Sequence, residues 1–160
     1  MDTTFDMFIE TEVPDGELII SRTDLKGNIT YANETFLMIS GYEEEELLGK
    51  PHNILRHPDM PKSIFKELWE TLSAGENWQG FVKNRRKDGG YYWIKAEISG
   101  VYKDGTLVEY KSLRSPIEDE TKQNMQNTYD KKREDEEKNY RVVMYLDEEQ
   151  LKKVKEIGNA

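Results

Sequence analysis

Arg56, His57 and Asp59 crowd into one short stretch, Asn53-Ile-Leu-Arg-His-Pro-Asp-Met-Pro61, whose last proline suits the first turn of a helix. An arginine fork beside the free backbone N–H groups of a helix start can hold a phosphate or a ring carbonyl, and a diphosphate would be neutralised there. A plainer arrangement also satisfies these residues: Asp59 caps the helix, and Arg56 and His57 pair with it in a loop salt bridge. The chain offers no nucleophile with an adjacent base, no phosphate-cradling glycine loop and no spaced carboxylate pair. An enzyme is not expected.

A second polar stretch, Val82-Lys-Asn-Arg-Arg-Lys-Asp-Gly89, lies at the end of an expected strand. Residues two apart share a strand face, so Trp78, Gly80, Val82 and Asn84 line up, as do Tyr92, Ile94, Ala96 and Ile98 on the next strand. Tyr91, Trp93, Lys95 and Glu97 point the other way. The inner face is apolar, with an aromatic wall, a bare glycine floor and a lone amide at Asn84. A buried amide needs partners, and beside a flat surface it suits a planar heterocycle carrying donors and acceptors, such as an isoalloxazine ring. The alternative is that Trp78 is core and Asn84 pairs with nearby backbone. His52 and His57 without cysteine make a poor zinc set, while one axial histidine leaves haem open.

The elements that must position these residues follow from punctuation and period. Glu17 to Thr23 and Asn28 to Tyr31 read as strands joined by a glycine-bearing turn, Asp24-Leu-Lys-Gly-Asn28. Asn33 caps a short helix, Glu43 to Leu48 gives another, and Phe65, Leu68, Trp69 and Leu72 share a face of a helix running from Pro61 to about Gly75. That aromatic face, with Phe65 and Trp69, should lie on the sheet. Three strands follow, Trp78 to Arg86, Tyr91 to Val101 and Leu107 to Ser115, split by Lys-Asp-Gly turns. Residues 1–16 form an N-terminal cap, 17–117 the domain, and 118–160 a helical extension. Within the extension Glu118 to Lys138 reads as a solvated helix, while the Tyr140 to Leu146 stretch and a capped amphipathic helix after Asp147 read as contact surfaces.

Composition closes off several classes. A net charge of −9 on 160 residues disfavours nucleic acid and anionic lipid as partners. The lack of cysteine excludes disulfides, thiolate metal sites, iron–sulfur clusters and cysteinyl-flavin photochemistry. No apolar run approaches the ~20 residues of a membrane span, and the acidic N-terminus does not read as a signal peptide. The expected setting is the cytoplasm, with any membrane association made through a partner.

The segments Arg56-His-Pro-Asp-Met-Pro-Lys62 and Val82-Lys-Asn-Arg-Arg-Lys87 resemble the flavin-binding PAS domains of the bacterial aerotaxis-receptor type, and the resemblance runs from about Leu18 to Arg114. It implies an α+β PAS fold, a five-stranded antiparallel sheet with short helices on one face, holding non-covalent FAD. The family positions tied to cofactor binding match Asn33, Arg56, His57, Asp59, Trp78 and Asn84, and Arg114 falls where related domains place a polar side chain near the ring. Phe65, Trp69 and Tyr92, on the inner aromatic faces, complete the expected cofactor-binding set. Such receptors continue into membrane-spanning helices, a HAMP region and a methyl-accepting domain, none of which is in this sequence. The chain therefore resembles the stand-alone PAS half of a split energy-taxis system, although a fragment of a longer receptor would read the same. The implied role is a redox or oxygen-linked sensor for a membrane-bound methyl-accepting transducer or HAMP-containing protein in trans, or a homodimer, with an exposed Trp93 anchoring the contact. A cofactor-free interaction module and a haem-bound gas sensor are the alternatives.

Overall fold

Residues 8–137 are described in the computed structural model of the chain. Strands β1 (Ile19–Thr23) and β2 (Ile29–Ala32) form the expected hairpin. Asp24 closes its turn by accepting from the N–H groups of Lys26 and Asn28, both at 2.9 Å, and Gly27 takes a φ of 88° that a side chain would resist. Asn33 then starts α1 (Glu34–Ser40): its Oδ1 accepts from Phe36 N at 3.0 Å and Ile20 N at 3.1 Å, and its Nδ2 donates to Leu18 O at 2.9 Å. One amide thus caps a helix and ties it to β1.

Helix α2 (Glu44–Leu47), a 3₁₀ turn (His52–Leu55) and α3 (Lys62–Ser73) follow, then β3 (Trp78–Arg85), β4 (Tyr91–Lys103), β5 (Thr106–Ser115) and a helix α4 over residues 119–137. All strand pairs are antiparallel in the order β2-β1-β5-β4-β3, so the last strand sits at the centre. The pairs Trp78 with Ile98, Gly80 with Ala96, Val82 with Ile94 and Asn84 with Tyr92 put the expected residues on one inner face. Phe36, Leu47, Leu55, Leu68 and Leu72 are buried in the core on that side. Among the described residues no helix is long and apolar enough to cross a membrane.

The other face is covered. Trp93, expected to be exposed, is only 4% exposed and stacks on Tyr129 of α4 at 6.2 Å between ring centroids. Tyr129 also donates its hydroxyl to Phe81 O at 2.6 Å, and Met125 packs on the core. The solvated-helix expectation for 118–138 therefore fails, because a narrow strip of apolar contacts inside a charge-dense sequence is enough to seat one side of a helix. Before the sheet, Ile9 and Thr11 bond the backbone of Tyr91, and Lys122 of α4 pairs with Glu10 at 2.7 Å. The contact surfaces expected at Tyr140 to Leu146, beyond Asp147 and at Phe5 lie outside the described residues.

Asp59 does not cap α3, whose N-cap position is held by Pro61 with no side-chain bond. Its carboxylate instead accepts from Lys83 Nζ at 2.8 Å and Gln126 Nε2 at 3.2 Å, while His57 Nδ1 accepts from the Asp59 backbone N–H at 3.0 Å. Lys83 is the outward neighbour of Asn84 on β3 and is buried between Asp59, Gln126 and the Tyr91 ring. Burial, then the Lys83 charge, pull the His57 ring down to about 4. Asp59 is also held low, since burial raises it but the Lys83 hydrogen bond and charge overcome that.

Two outcomes follow from this outer cluster. Tyr129→Phe, which removes one hydroxyl bond and keeps the ring stack, should lower unfolding stability by about 1 kcal/mol in urea titrations. A neutral folded His57 contributes stability that is complete above its ordinary value of 6.5 and is lost as pH falls through about 4. Urea midpoints should fall across that window, and His57→Asn, which keeps an acceptor for the Asp59 N–H, should show a shallower fall. Wild-type and variant curves of equal slope would overturn this assignment.

Candidate functional site

Between the inner sheet face and α3 lies a cavity of about 300 Å³. Trp78, Val82 and Asn84 of β3, Ile94, Ala96 and Ile98 of β4, and Tyr110, Ser112 and Arg114 of β5 give its floor. Phe65, Leu68, Trp69 and Leu72 of α3 give its roof, and Lys26, Gly27, His52, Asn53 and Arg56 come from loops and the 3₁₀ turn. Lys26, Asn53, Arg56 and Trp69 are exposed as well as lining, so they mark the opening. Arg56 lays its guanidinium over the Phe65 ring at 3.7 Å, and Trp69 meets Tyr110 edge-on at 5.8 Å.

Arg114 is the deepest polar group. It is 3% exposed, its Nη2 donates to Ser21 Oγ at 2.5 Å and lies 2.6 Å from His52 Nε2, and the Phe36 ring sits 4.8 Å away. Among the described residues no carboxylate pairs with it, and burial lowers its pKa to about 10, leaving it charged at neutral pH. Burial, then the Arg114 charge, push His52 down to about 3. The ring is therefore neutral, with Nε2 as acceptor toward the guanidinium and the proton on Nδ1. Arg114 Nη1 and Ser112 Oγ are both buried without a hydrogen-bond partner among the described residues. Two such atoms on one cavity wall are what a polar ligand would satisfy.

Asn84 is buried, with Nδ2 3.4 Å from the Tyr92 hydroxyl, and its backbone forms an isolated bridge with Arg56. Trp78 points Nε1 at Glu67 Oε1, 3.4 Å away on α3. Of the residues expected to bind a cofactor, Arg56, Phe65, Trp69, Trp78, Asn84 and Arg114 come together around the cavity. Asn33, His57, Asp59 and Tyr92 do not line it. Tyr92 backs Asn84, Asn33 secures β1, and His57 and Asp59 shape the loop that carries Arg56. Sequence reasoning missed Ser112 and Tyr110 as lining residues, although stepping back by twos from Arg114 along β5 reaches both. It also weighed His52 only as a metal ligand. Among the described residues no group of three His, Asp or Glu could hold a metal ion.

Comparison with known proteins agrees with this architecture. Residues 29–114 match the family model described as the PAS fold. The aerotaxis receptor of Escherichia coli is 47% identical over 110 residues, 69% of this chain and 22% of that protein. A nitrogen fixation regulatory protein of Klebsiella pneumoniae is 34% identical over 108 residues, again 22% of its length, so the chain spans about a fifth of these relatives. A light-oxygen-voltage domain solved in work with a flavin analogue superposes with a TM-score of 0.60 at 25% identity, covering 71% of this chain and 87% of that one. With its central last strand, its helix-roofed cavity and a family match running from β2 to Arg114, the chain belongs to the PAS fold family.

Proposed function

We propose that the chain is a sensor domain that holds FAD in this cavity and reports redox or oxygen-linked state to a signalling partner. The observation that carries the reading is the pair of partnerless buried atoms, Arg114 Nη1 and Ser112 Oγ, on the wall that also carries Asn84. A flat floor, an aromatic roof and convergent donors suit a planar heterocycle with carbonyl and ring-nitrogen acceptors. The likeness to the aerotaxis receptor, and to a light-oxygen-voltage domain studied with a flavin analogue, supports a flavin over other planar rings. A haem reading would need the His52 Nε2 that Arg114 engages.

When bound, a flavin supplies reversible, proton-coupled redox chemistry. Arg114 and Ser112 donate to electron-rich ring atoms, and Arg114 favours negative charge there. Asn84 orients the ring, offering both a donor and an acceptor. Trp78 below, with Phe65 and Leu68 above, keeps water off its faces. Arg56 and Lys26, at the opening, meet the diphosphate that distinguishes FAD from simpler flavins. His57 and Asp59 act through the Arg56 loop, Tyr92 acts through Asn84, and Asn33 acts through β1 beside Ser21. Residues 17–117 make up the sensing unit, with 1–16 as its cap and 118–160 as its helical extension. A membrane-bound methyl-accepting or HAMP-containing transducer in trans fits the aerotaxis likeness, and a homodimer through the terminal segments is the other arrangement.

The native protein, once denatured, should release FAD on chromatography; FMN, haem or no chromophore would overturn the reading. Asn84→Ala should lower flavin occupancy while circular dichroism shows the fold intact. Full occupancy with an unchanged flavin spectrum would remove Asn84 from the site.

A further inference from the structure

Gly80 sits in the middle of β3, paired with Ala96, at a position whose backbone does not require glycine, since its φ is not positive. A glycine inside a strand weakens it and offers no side chain to pack, so its presence needs another reason. That reason is Trp78. A Cβ on Gly80 would lie 2.4 Å from Cη2 and Cζ2 of the Trp78 ring, a distance that real Cβ atoms do not tolerate, and 3.2 Å from Cζ3. The six-membered ring of the indole is therefore laid on the bare backbone of Gly80, while Nε1 reaches Glu67 at 3.4 Å.

We propose that Gly80 is a specificity-determining residue, setting the depth of the cavity by letting the Trp78 indole lie flat beneath it. This rests on the reading of the cavity as a flavin site. Trp78 has the sheet on one side and the cavity on the other, so any atom added at Gly80 displaces the ring into the space a planar ligand would take. The Trp78 ring over Gly80, with Ala96 beside it, makes the low part of the floor, and Phe65 and Leu68 of α3 fix the roof. The height of the space between them is set by how deep the indole lies. Gly80 touches no ligand itself; it acts through Trp78.

Gly80→Ala should weaken uptake of FAD by the apoprotein about tenfold or more, as overpacking of a closed site does. The melting temperature of the apoprotein should change little, because the displaced indole can move into the open cavity. Trp78→Phe placed in the Gly80→Ala background, with its smaller ring, should recover much of the lost affinity. The indole N–H resonance of Trp78, assigned by its loss in Trp78→Phe, should shift in Gly80→Ala while that of Trp93 stays in place. Wild-type affinity in Gly80→Ala would overturn the inference, as would a fall in melting temperature with no rescue by the second substitution. A wild type that takes up no flavin, while the Trp78 resonance still moves in Gly80→Ala, would overturn the flavin reading and with it this role for Gly80.

Discussion

A buried guanidinium with no carboxylate partner among the described residues is the constraint around which the inner half of this molecule is built. Arg114 lies on the central strand, and a charge in that position must be met by hydrogen bonds or anions. The chain supplies Ser21 from β1, a neutral His52 from the 3₁₀ turn and the face of Phe36 from α1. Each provider is fixed by something else. Ser21 stands next to Ile20, whose N–H is held by Asn33, and Phe36 donates its own N–H to the same Asn33 oxygen. Three acceptor groups still leave Nη1 unanswered, so the fold alone does not complete the site.

Two adjacent residues of β3 carry the contrast between the faces of the sheet. Asn84 points into the cavity, and Lys83 points out to Asp59 and to Gln126 on α4. The loop opposite repeats the division, because Arg56 stands at the cavity mouth while Asp59, three residues on, pairs with Lys83. The backbone bridge between Arg56 and Asn84 locks strand and loop together. A change in what Asn84 bonds would have to move either this bridge or the strand, and both end on the same outer ion pair. Arg133 of α4 also approaches Asp59, at 3.6 Å, which makes that carboxylate a shared anchor for loop, sheet and helix.

Much of this architecture is legible in the order of the amino acids. The alternation on β3 and β4 identifies the inner face correctly because a slip of one residue would turn the whole apolar set away from α3. The hairpin turn, the Asn33 cap and the aromatic face of α3 carry local chemistry that needs no distant partner to be recognised. What escapes are contacts between distant segments. Asp59 reads as a cap because Pro61 is near in sequence, whereas its true partners, Lys83, Gln126 and Arg133, are far along the chain. Trp93 reads as solvent-facing because the helix that covers it shows only Tyr129 and Met125 among many charges. Long-range pairing of polar groups has no period to announce it.

Net charge is the most misleading global quantity. A value of −9 speaks against broad anionic partners, yet among the described residues that line the cavity none is Asp or Glu, while Lys26, Arg56, Lys111 and Arg114 all line it. In an acidic chain this separation has a physical effect, since low-dielectric walls focus the field of the few cations onto the enclosed space and the outer carboxylates are screened by water. The buried Arg114 sets a positive floor to that potential, and Lys26 and Arg56 extend it to the opening. The sign of the field inside the cavity is thus a property of where charge sits and not of how much the chain carries. An acidic chain thus encloses a positively lined cavity, with one lining cation, Arg114, withdrawn from solvent and held there by the neutral acceptors of Ser21 and His52.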